Sequence, residues 1–477
     1  MRTPLSLPAL SLFSLTIAIA ACSNGFSYRD GDGGNAGKAG GLSGGATWIP
    51  SGGKSHASGG LDDGPSLGGT TGEAGAPSKA SGGAIGHGGS LSEAGATHAS
   101  AGSAGAGGDD RGGEIIPPDH ACAPQTTFRN LFAELLEQSE EDTDAKIAAA
   151  YASLFEGNET QTVYYEKGDD EAYILDVNNA DVRSEGLSYG MMIAVQLDKK
   201  DVFDRLWRFT KRNLQQSNGY FAWQSLPSGE ILSRFSAPDG EEYYVQALIY
   251  ASKRWGDGED ILNYSAEAKM ILDALIHNGN WNRDRYLVTF GIGTGYTDPS
   301  YILPAFYQTW ACFDAQNGVF WQEATAAARA YFPKTTHPTT GLAPNFSNFD
   351  GSPYKNSRFQ ADAWRVVANI MMDKNFYAAD AWQDTFARRY AAFFASAPAA
   401  ADQFELDGTV THANGSSPAA GLVAQNALVA FGVSADEGAP FVRKLWELRV
   451  PTGHYRYYDG MLYMLGLLHA SGRFKQW

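Results

Sequence analysis

From about Cys122 to Trp477, apolar residues return every three and four positions in segment after segment. A chain patterned this way hides its stripes by packing helix on helix. Twelve such segments can be read: Thr127 to Gln138, Asp144 to Phe155, Glu185 to Leu197, Val202 to Leu214, Glu241 to Trp255, Ser265 to Ile276, Ser300 to Cys312, Phe320 to Phe332, Phe359 to Met372, Asp380 to Phe394, Pro418 to Phe431 and Asp459 to Ala470. Phe203, Leu206, Trp207 and Thr210 show the spacing directly, and Asp380 is placed as an N-cap. Gly and Pro punctuate most of the joins, which sorts the segments into six sequential pairs. Only Thr160 to Leu175 reads as strand, on the β-formers Thr162, Val163, Tyr164 and Tyr165. The expected class is all-α. Six helical hairpins can form a curved solenoid or close into a double-layered α-barrel, and periodicity does not choose. A helical scaffold of the solenoid kind should carry a repeat of fixed period, and none is present.

The residues before this domain are different in kind. Residues 23–121, and most densely Gly25 to Pro118, are dominated by Gly, Ala and Ser. Such composition buries too little apolar surface to offset chain entropy, so a disordered tether is expected. A phosphate-cradling loop is excluded, because no strand precedes the glycines and no helix follows them. Residues 1–22 read as an export signal: Arg2 is followed by an apolar run, Leu10 to Ala21, too short for a comfortable membrane span. The run ends Ile19-Ala20-Ala21-Cys22, which resembles a bacterial lipobox with Cys22 as the lipidated first residue; an ordinary signal peptide cut near an A-x-A site is the alternative. Ser23 favours the outer membrane. The expected product is an exported cell-envelope protein, lipid-anchored at the outer membrane or cell surface. It would meet the membrane through that lipid alone and carry a monomeric domain over residues 122–477. An oxidising compartment permits a Cys122–Cys312 bridge, and two buried thiols fit the sequence equally well.

A formal net charge of −17 argues against a nucleic-acid partner, which needs basic residues to neutralise phosphates. An uncharged polysaccharide is compatible with it. The 11 Trp and 23 Tyr supply rings that stack on sugar faces or fill the core. His residues are few and scattered, with no H-E-x-x-H or C-x-x-C, and Asp257-Gly258-Glu259-Asp260 lacks the order of a calcium loop. No metal site is expected.

Three segments place acids among small and aromatic residues where a helix meets a loop. In Arg183-Ser184-Glu185-Gly186-Leu187-Ser188-Tyr189-Gly190-Met191, Ser184 reads as an N-cap and puts Glu185 in the first helical turn. A carboxyl there ordinarily complements the helix dipole. Leu187, Met191 and Met192 give this one an apolar setting that raises a carboxyl pKa and makes a general acid, while Gly186 and Gly190 leave room for a ligand around Tyr189. In Ser236-Ala237-Pro238-Asp239-Gly240-Glu241-Glu242-Tyr243, Asp239 is a candidate site residue or only an N-cap, and the neighbouring acids read as dipole complement. In Phe359-Gln360-Ala361-Asp362-Ala363-Trp364-Arg365-Val366, Asp362 and Arg365 share a helix face as a surface pair or, given the apolar neighbours, as a buried one.

Together these segments resemble glycoside hydrolase family 8. The resemblance extends from about Thr127 to Trp477 and includes Asp298-Pro299-Ser300-Tyr301-Ile302-Leu303-Pro304 and Tyr455-Arg456-Tyr457-Tyr458-Asp459-Gly460, which look like its xylan-active branch. It implies an (α/α)6 barrel of about twelve helices and an inverting hydrolysis of β-1,4-linked sugar chains. On this reading Glu185 protonates the leaving oxygen, Asp362 activates water and Asp239 holds the central sugar. Tyr301 fixes the water, Trp223 either stacks a sugar ring or packs in the core, and Arg365, Tyr189 and Tyr458 complete the substrate site. Two carboxylates suffice for this chemistry, so no cofactor is expected. The implied partner is a β-1,4-linked oligosaccharide or polysaccharide: xylan or xylo-oligosaccharide first, with release of xylose from the reducing end as one form. Glucan or chitosan are the alternatives, as is an inactive sugar-binding surface protein that would lack one of the acids. The stretch Val450 to His454 is where a loop closing the cleft would sit.

Overall fold

The computed structural model describes residues 128–477. The expected signal segment, Cys22, the tether and Cys122 lie outside the described residues. Cys312 is disulfide-bonded.

Thirteen α-helices occur among the described residues: α1 Leu131–Leu136, α2 Glu140–Phe155, α3 Ser184–Gln196, α4 Lys200–Phe209, α5 Pro238–Trp255, α6 Tyr264–His277, α7 Pro304–Phe313, α8 Gly318–Thr335, α9 Val366–Tyr377, α10 Trp382–Ser396, α11 Ala420–Asn426, α12 Ala435–Glu447 and α13 Arg456–Ala470. The fold is the all-α barrel anticipated, with one helix more than expected. The addition is α12, which carries a complete capping box between Ser434 and Glu437. Its stripe of Phe441, Val442 and Leu445 was also readable, but Pro440 interrupts the segment.

Burial separates the helices into two layers. α3, α5, α9, α11 and α13 are buried along most of their length, whereas α2, α4, α6, α8 and α10 each bury one face. The inner helices pack in a ring, α3 on α5, α5 on α7, α7 on α9, α9 on α11, α11 on α13, and α13 back on α3. That last contact settles the choice between solenoid and barrel. Each inner helix is backed by the helix that follows it, except α13, which is backed by α2 from the other end of the domain. The sequential pairing expected for the last hairpin is thereby corrected: α11 pairs with α12, and the barrel closes between its two termini.

Several helix starts differ from expectation for local reasons. Pro304 cannot donate the hydrogen bond a continuous helix needs, so Ser300 to Cys312 divides into a 3₁₀ turn at Pro299–Tyr301 and α7. Phe359 is extended and pairs with Phe404, and the segment turns helical only at the 3₁₀ turn Ala361–Arg365. Asp380 lies one residue before the true cap, Ala381, yet its Oδ1 still accepts the Trp382 N–H.

More strand is present than the single segment expected. β1 Tyr164–Lys167, β2 Glu171–Asp176, β3 Asp181–Arg183, β4 Gln224–Ser225 and β5 Ile231–Ser233 form one antiparallel sheet in that order. β6 Trp281–Asn282 pairs β7 Leu287–Val288, and β8 Ala401–Phe404 pairs β9 Val410–Ala413. β1 and β2 account for the expected segment; the other pieces, two to four residues each, are too short for alternation to reveal them. β3 runs directly into α3, and the Ser184 N–H donates to the Trp223 carbonyl, which fixes the first turn of α3 beside β4.

Candidate active site

Inner helices that all start at one end of a barrel deliver their first turns to one place. The first turns of α3, α5 and α13 and the 3₁₀ turn before α9 meet at a cleft of about 230 Å³, lined by Glu185, Asp239, Asp362, Tyr301, Trp223 and Tyr457 among others.

Glu185 occupies the first turn of α3. The cap is extended Arg183 rather than Ser184, which is the first helical residue. Glu185 Oε1 accepts from the Tyr457 hydroxyl at 2.9 Å and Oε2 from Arg365 Nη1 at 2.9 Å. Burial pushes its carboxyl up, the negative field of Asp239 and Asp362 adds to this, and Arg365 opposes it; the result is a pKa of about 7. Asp239 lies in the first turn of α5, where Ala237 is the cap, so capping does not explain it. Its Oδ1 accepts the Gly240 N–H and its Oδ2 a bond from Arg365 at 2.8 Å; burial raises its pKa against the pull of that arginine. Asp362, with 22% of its side chain exposed, is the most open of the three. Asn345 Nδ2 donates to its Oδ2 at 2.9 Å, while the Ala363 N–H holds the Asn345 amide oxygen and so fixes which way that amide points.

Arg365 ties the three acids together. It is neither a surface residue nor a partner of Asp362 alone. Nη1 donates toward Glu185, Asp239 and the Tyr189 hydroxyl, the last at 2.6 Å. Nη2 donates to Ser300 Oγ at 2.8 Å and lies 3.5 Å from Asp362 Oδ1. Tyr189, expected to meet substrate, is instead 1% exposed behind this arginine, packed edge-on against Tyr243. It positions the guanidinium and does not line the cleft.

The other aromatic candidates do reach the cleft. Tyr301 lies beneath the Arg365 guanidinium and stacks on Phe290, while Tyr458 donates to the Ala361 carbonyl next to Asp362. Trp223 is largely buried, with the Arg183 guanidinium 5.6 Å from its ring centroid. Arg183 is held in turn by Asp176 at 2.9 Å and Asp181 at 3.1 Å. Sequence reasoning missed Tyr457 and Asn345. Tyr457 stands in a run that the sequence does single out; Asn345 stands in a loop with no local signal. Val450 to His454 does not line the cleft. Arg358, Gln360 and, on β8, Gln403 also line the cleft.

Glu241 and Glu242 correct the dipole reading of their segment. Both are fully buried. Glu241 Oε1 accepts the Phe221 N–H, and burial pushes its carboxyl up to about 8. Glu242 Oε1 accepts from the Tyr307 hydroxyl at 2.7 Å, and burial raises its pKa well above the ordinary glutamate value. Burial inside the barrel wall favours the neutral form of both acids. The Tyr307 hydroxyl also lies 3.1 Å from the Tyr301 carbonyl, so it links the buried Glu242 carboxyl to the backbone of a cleft residue.

One carboxyl that holds its proton near neutral pH therefore faces the same cleft as a second, more open carboxyl. That arrangement suits general acid and base catalysis from two sides of a bound group. Comparison with known proteins agrees. The model of glycosyl hydrolases family 8 matches residues 171–472. The reducing end xylose-releasing exo-oligoxylanase of Halalkalibacterium halodurans is 40% identical over 371 residues, covering 73% of this chain and 94% of that one. The structure of Rex8A from Paenibacillus barcinonensis complexed with xylose superposes with a TM-score of 0.71 at 38% identity, covering 73% of this chain and 97% of that one. Endoglucanase 2 of Ruminiclostridium josui is a more distant relative, 29% identical over 306 residues, covering 62% of this chain and 65% of its own.

Proposed function

The chain belongs to glycosyl hydrolases family 8, and on that footing we propose that it hydrolyses β-1,4-linked xylan or xylo-oligosaccharides with inversion. The observation that carries this reading is the pair Glu185 and Asp362, held by different nitrogens of one guanidinium at one cleft, with the Glu185 pKa near 7. Glu185 gives its proton to the leaving glycosidic oxygen. Asp362, oriented by Asn345, takes a proton from the water that attacks the opposite face of the sugar. Inverting pairs stand about 6.5–9.5 Å apart to admit that water. Asp239 meets the sugar between them, Tyr301 borders the water position, and Trp223 and Tyr458 form walls for flanking sugars. Arg365 holds the acids in register.

The xylan reading rests on the more similar relatives, which are named for release of xylose from the reducing end, against the more distant endoglucanases. Reducing-end release is the finer form of the proposal. It is tested with reducing-end-labelled xylohexaose, cellohexaose and chitosan oligomers. Labelled xylose as the sole early labelled product supports it, mixed lengths indicate internal cleavage, and cleavage of cellohexaose alone refutes the xylan assignment. For the roles, Glu185→Gln and Asp362→Asn should each lower turnover by about 10²–10⁴ with the fold intact. Near-wild-type hydrolysis by either variant removes that residue from its role. The lipid anchor is likewise proposed, from Cys22 alone; Cys22→Ala should release the protein from membranes, and unchanged retention refutes it.

A further inference from the structure

Three arginines line the cleft, and they differ in how their donors are used. Arg183 is committed to Asp176 and Asp181, and Arg365 to the acids and to Ser300. Arg358 is different. The carboxylate nearest to it, Glu405, is 3.8 Å from Nη1, outside hydrogen-bond range, and 42% of the Arg358 side chain is exposed.

Its backbone is nevertheless fixed. The Arg358 carbonyl accepts the Asn345 N–H, and Phe359 exchanges two backbone hydrogen bonds with Phe404 of β8. Phe359 is buried in this extended stretch, so Arg358 and Gln360, on either side of it, both turn to the cleft. On β8, Gln403 turns to the cleft between buried Asp402 and Phe404. Among the described residues neither Gln360 nor Gln403 has a side-chain hydrogen-bond partner. One wall thus presents a guanidinium and two amides, all with free N–H donors, on a rigid backbone. Glu185, Asp239 and Asp362 line the same cleft and repel a carboxylate placed against them. Of the three cleft arginines, Arg358 is the one whose donors no acid takes up in a hydrogen bond.

We propose that Arg358, Gln360 and Gln403 form a subsite for an acidic side group, a uronic acid carried as a branch on the xylo-oligosaccharide, and that this wall makes the enzyme select acidic branched chains. Guanidinium matches a carboxylate with two parallel hydrogen bonds, and the amides serve the hydroxyls of the same sugar. The inference rests on the proposed function and deepens it from sugar chain to branch.

The test is the ratio of kcat/KM for a xylotetraose bearing one uronic acid to that for the same molecule with the acid reduced to its alcohol. Wild-type enzyme should favour the acid. Arg358→Gln should lower the ratio about tenfold, the scale of one charge-assisted hydrogen bond. Gln403→Glu should lower it as well, by placing a negative charge at the wall, and unchanged melting temperatures establish that both variants fold. A ratio that is the same in all three proteins overturns the subsite, with hydrolysis of bare xylotetraose showing that the proposed function stands. If wild type cleaves no xylo-oligosaccharide, function and subsite fall together.

Discussion

At the residue scale, burial decides the charge of the acids, and charge decides what each can do. On the proposed function Glu185 must be protonated to act, and its pKa is pushed up to about 7. Activity should therefore fall as pH rises through about 7, and the descending limb of the kcat/KM profile should belong to Glu185. A limb that lies well above pH 8 would show that another group supplies the proton. Glu241 gives a prediction of the opposite kind, about stability. Its folded pKa of about 8 lies above the ordinary glutamate value of 4.5, so the folded chain keeps a proton that the unfolded chain has released. Its contribution is fully present below pH 4.5 and is lost as pH rises to about 8. Glu241→Gln, neutral at every pH, should flatten that decline, as read from urea unfolding at pH 5 and pH 8. An equal decline in both proteins would mean that Glu241 is ionised when folded. Arg365 shows the reverse case, a buried cation among acids. Arg365→Leu leaves those acids without counter-charge and should cost about 3–5 kcal/mol of stability, measured by chemical denaturation. A loss under about 1 kcal/mol would show that the acids do not depend on it. The three acids were legible because each stood in a motif. Arg365 was legible as a residue, but its role was not, since the partners Glu185, Tyr189 and Asp239 come from α3 and α5, more than a hundred positions away.

At the element scale, the site depends on how closely helix starts approach. A Cβ on Gly240 of α5 would stand 2.8 Å from the Ser184 Cβ and Oγ of α3, and one on Gly186 would stand 2.5 Å from Cε2 of Tyr457 on α13. Such distances are below carbon contact range, so glycine is what lets these turns converge. Gly186→Ala should push Tyr457 away from Glu185, lowering kcat and costing about 1–3 kcal/mol by overpacking. Wild-type activity together with wild-type stability would mean that the Tyr457 contact is dispensable. Helices were readable from their stripes, except α12, where Pro440 interrupts the segment and the capping box of Ser434 and Glu437 went unread. Beyond β1 and β2, the β pieces were not, because strands of two to four residues carry too little period, and it is β3 and β4 that fix Trp223 beside α3.

At the scale of the whole molecule, the barrel is closed by packing between its ends, α2 behind α13 and α13 against α3. No sequence pattern states which helix backs the last one, so the helices are legible while the partner of the final one is not. The closure predicts a sharp difference between truncations. Removing residues 1–121 should leave the melting transition in place, whereas removing residues 1–155 takes away α1 and α2 and should abolish cooperative unfolding. If the shorter chain melts like the longer one, the barrel does not need α2. On the proposed function, what the barrel ultimately holds in place is a pair of carboxyls, Glu185 and Asp362, acting from opposite faces of one sugar, one giving a proton and the other activating water. The stereochemistry of the product reports on that arrangement without an intermediary. The anomeric configuration of the first product formed from β-1,4-xylohexaose can be followed by proton NMR before mutarotation. Inversion requires that the new reducing end appear as the α-anomer; a β-anomer appearing first would rule out attack from the opposite face.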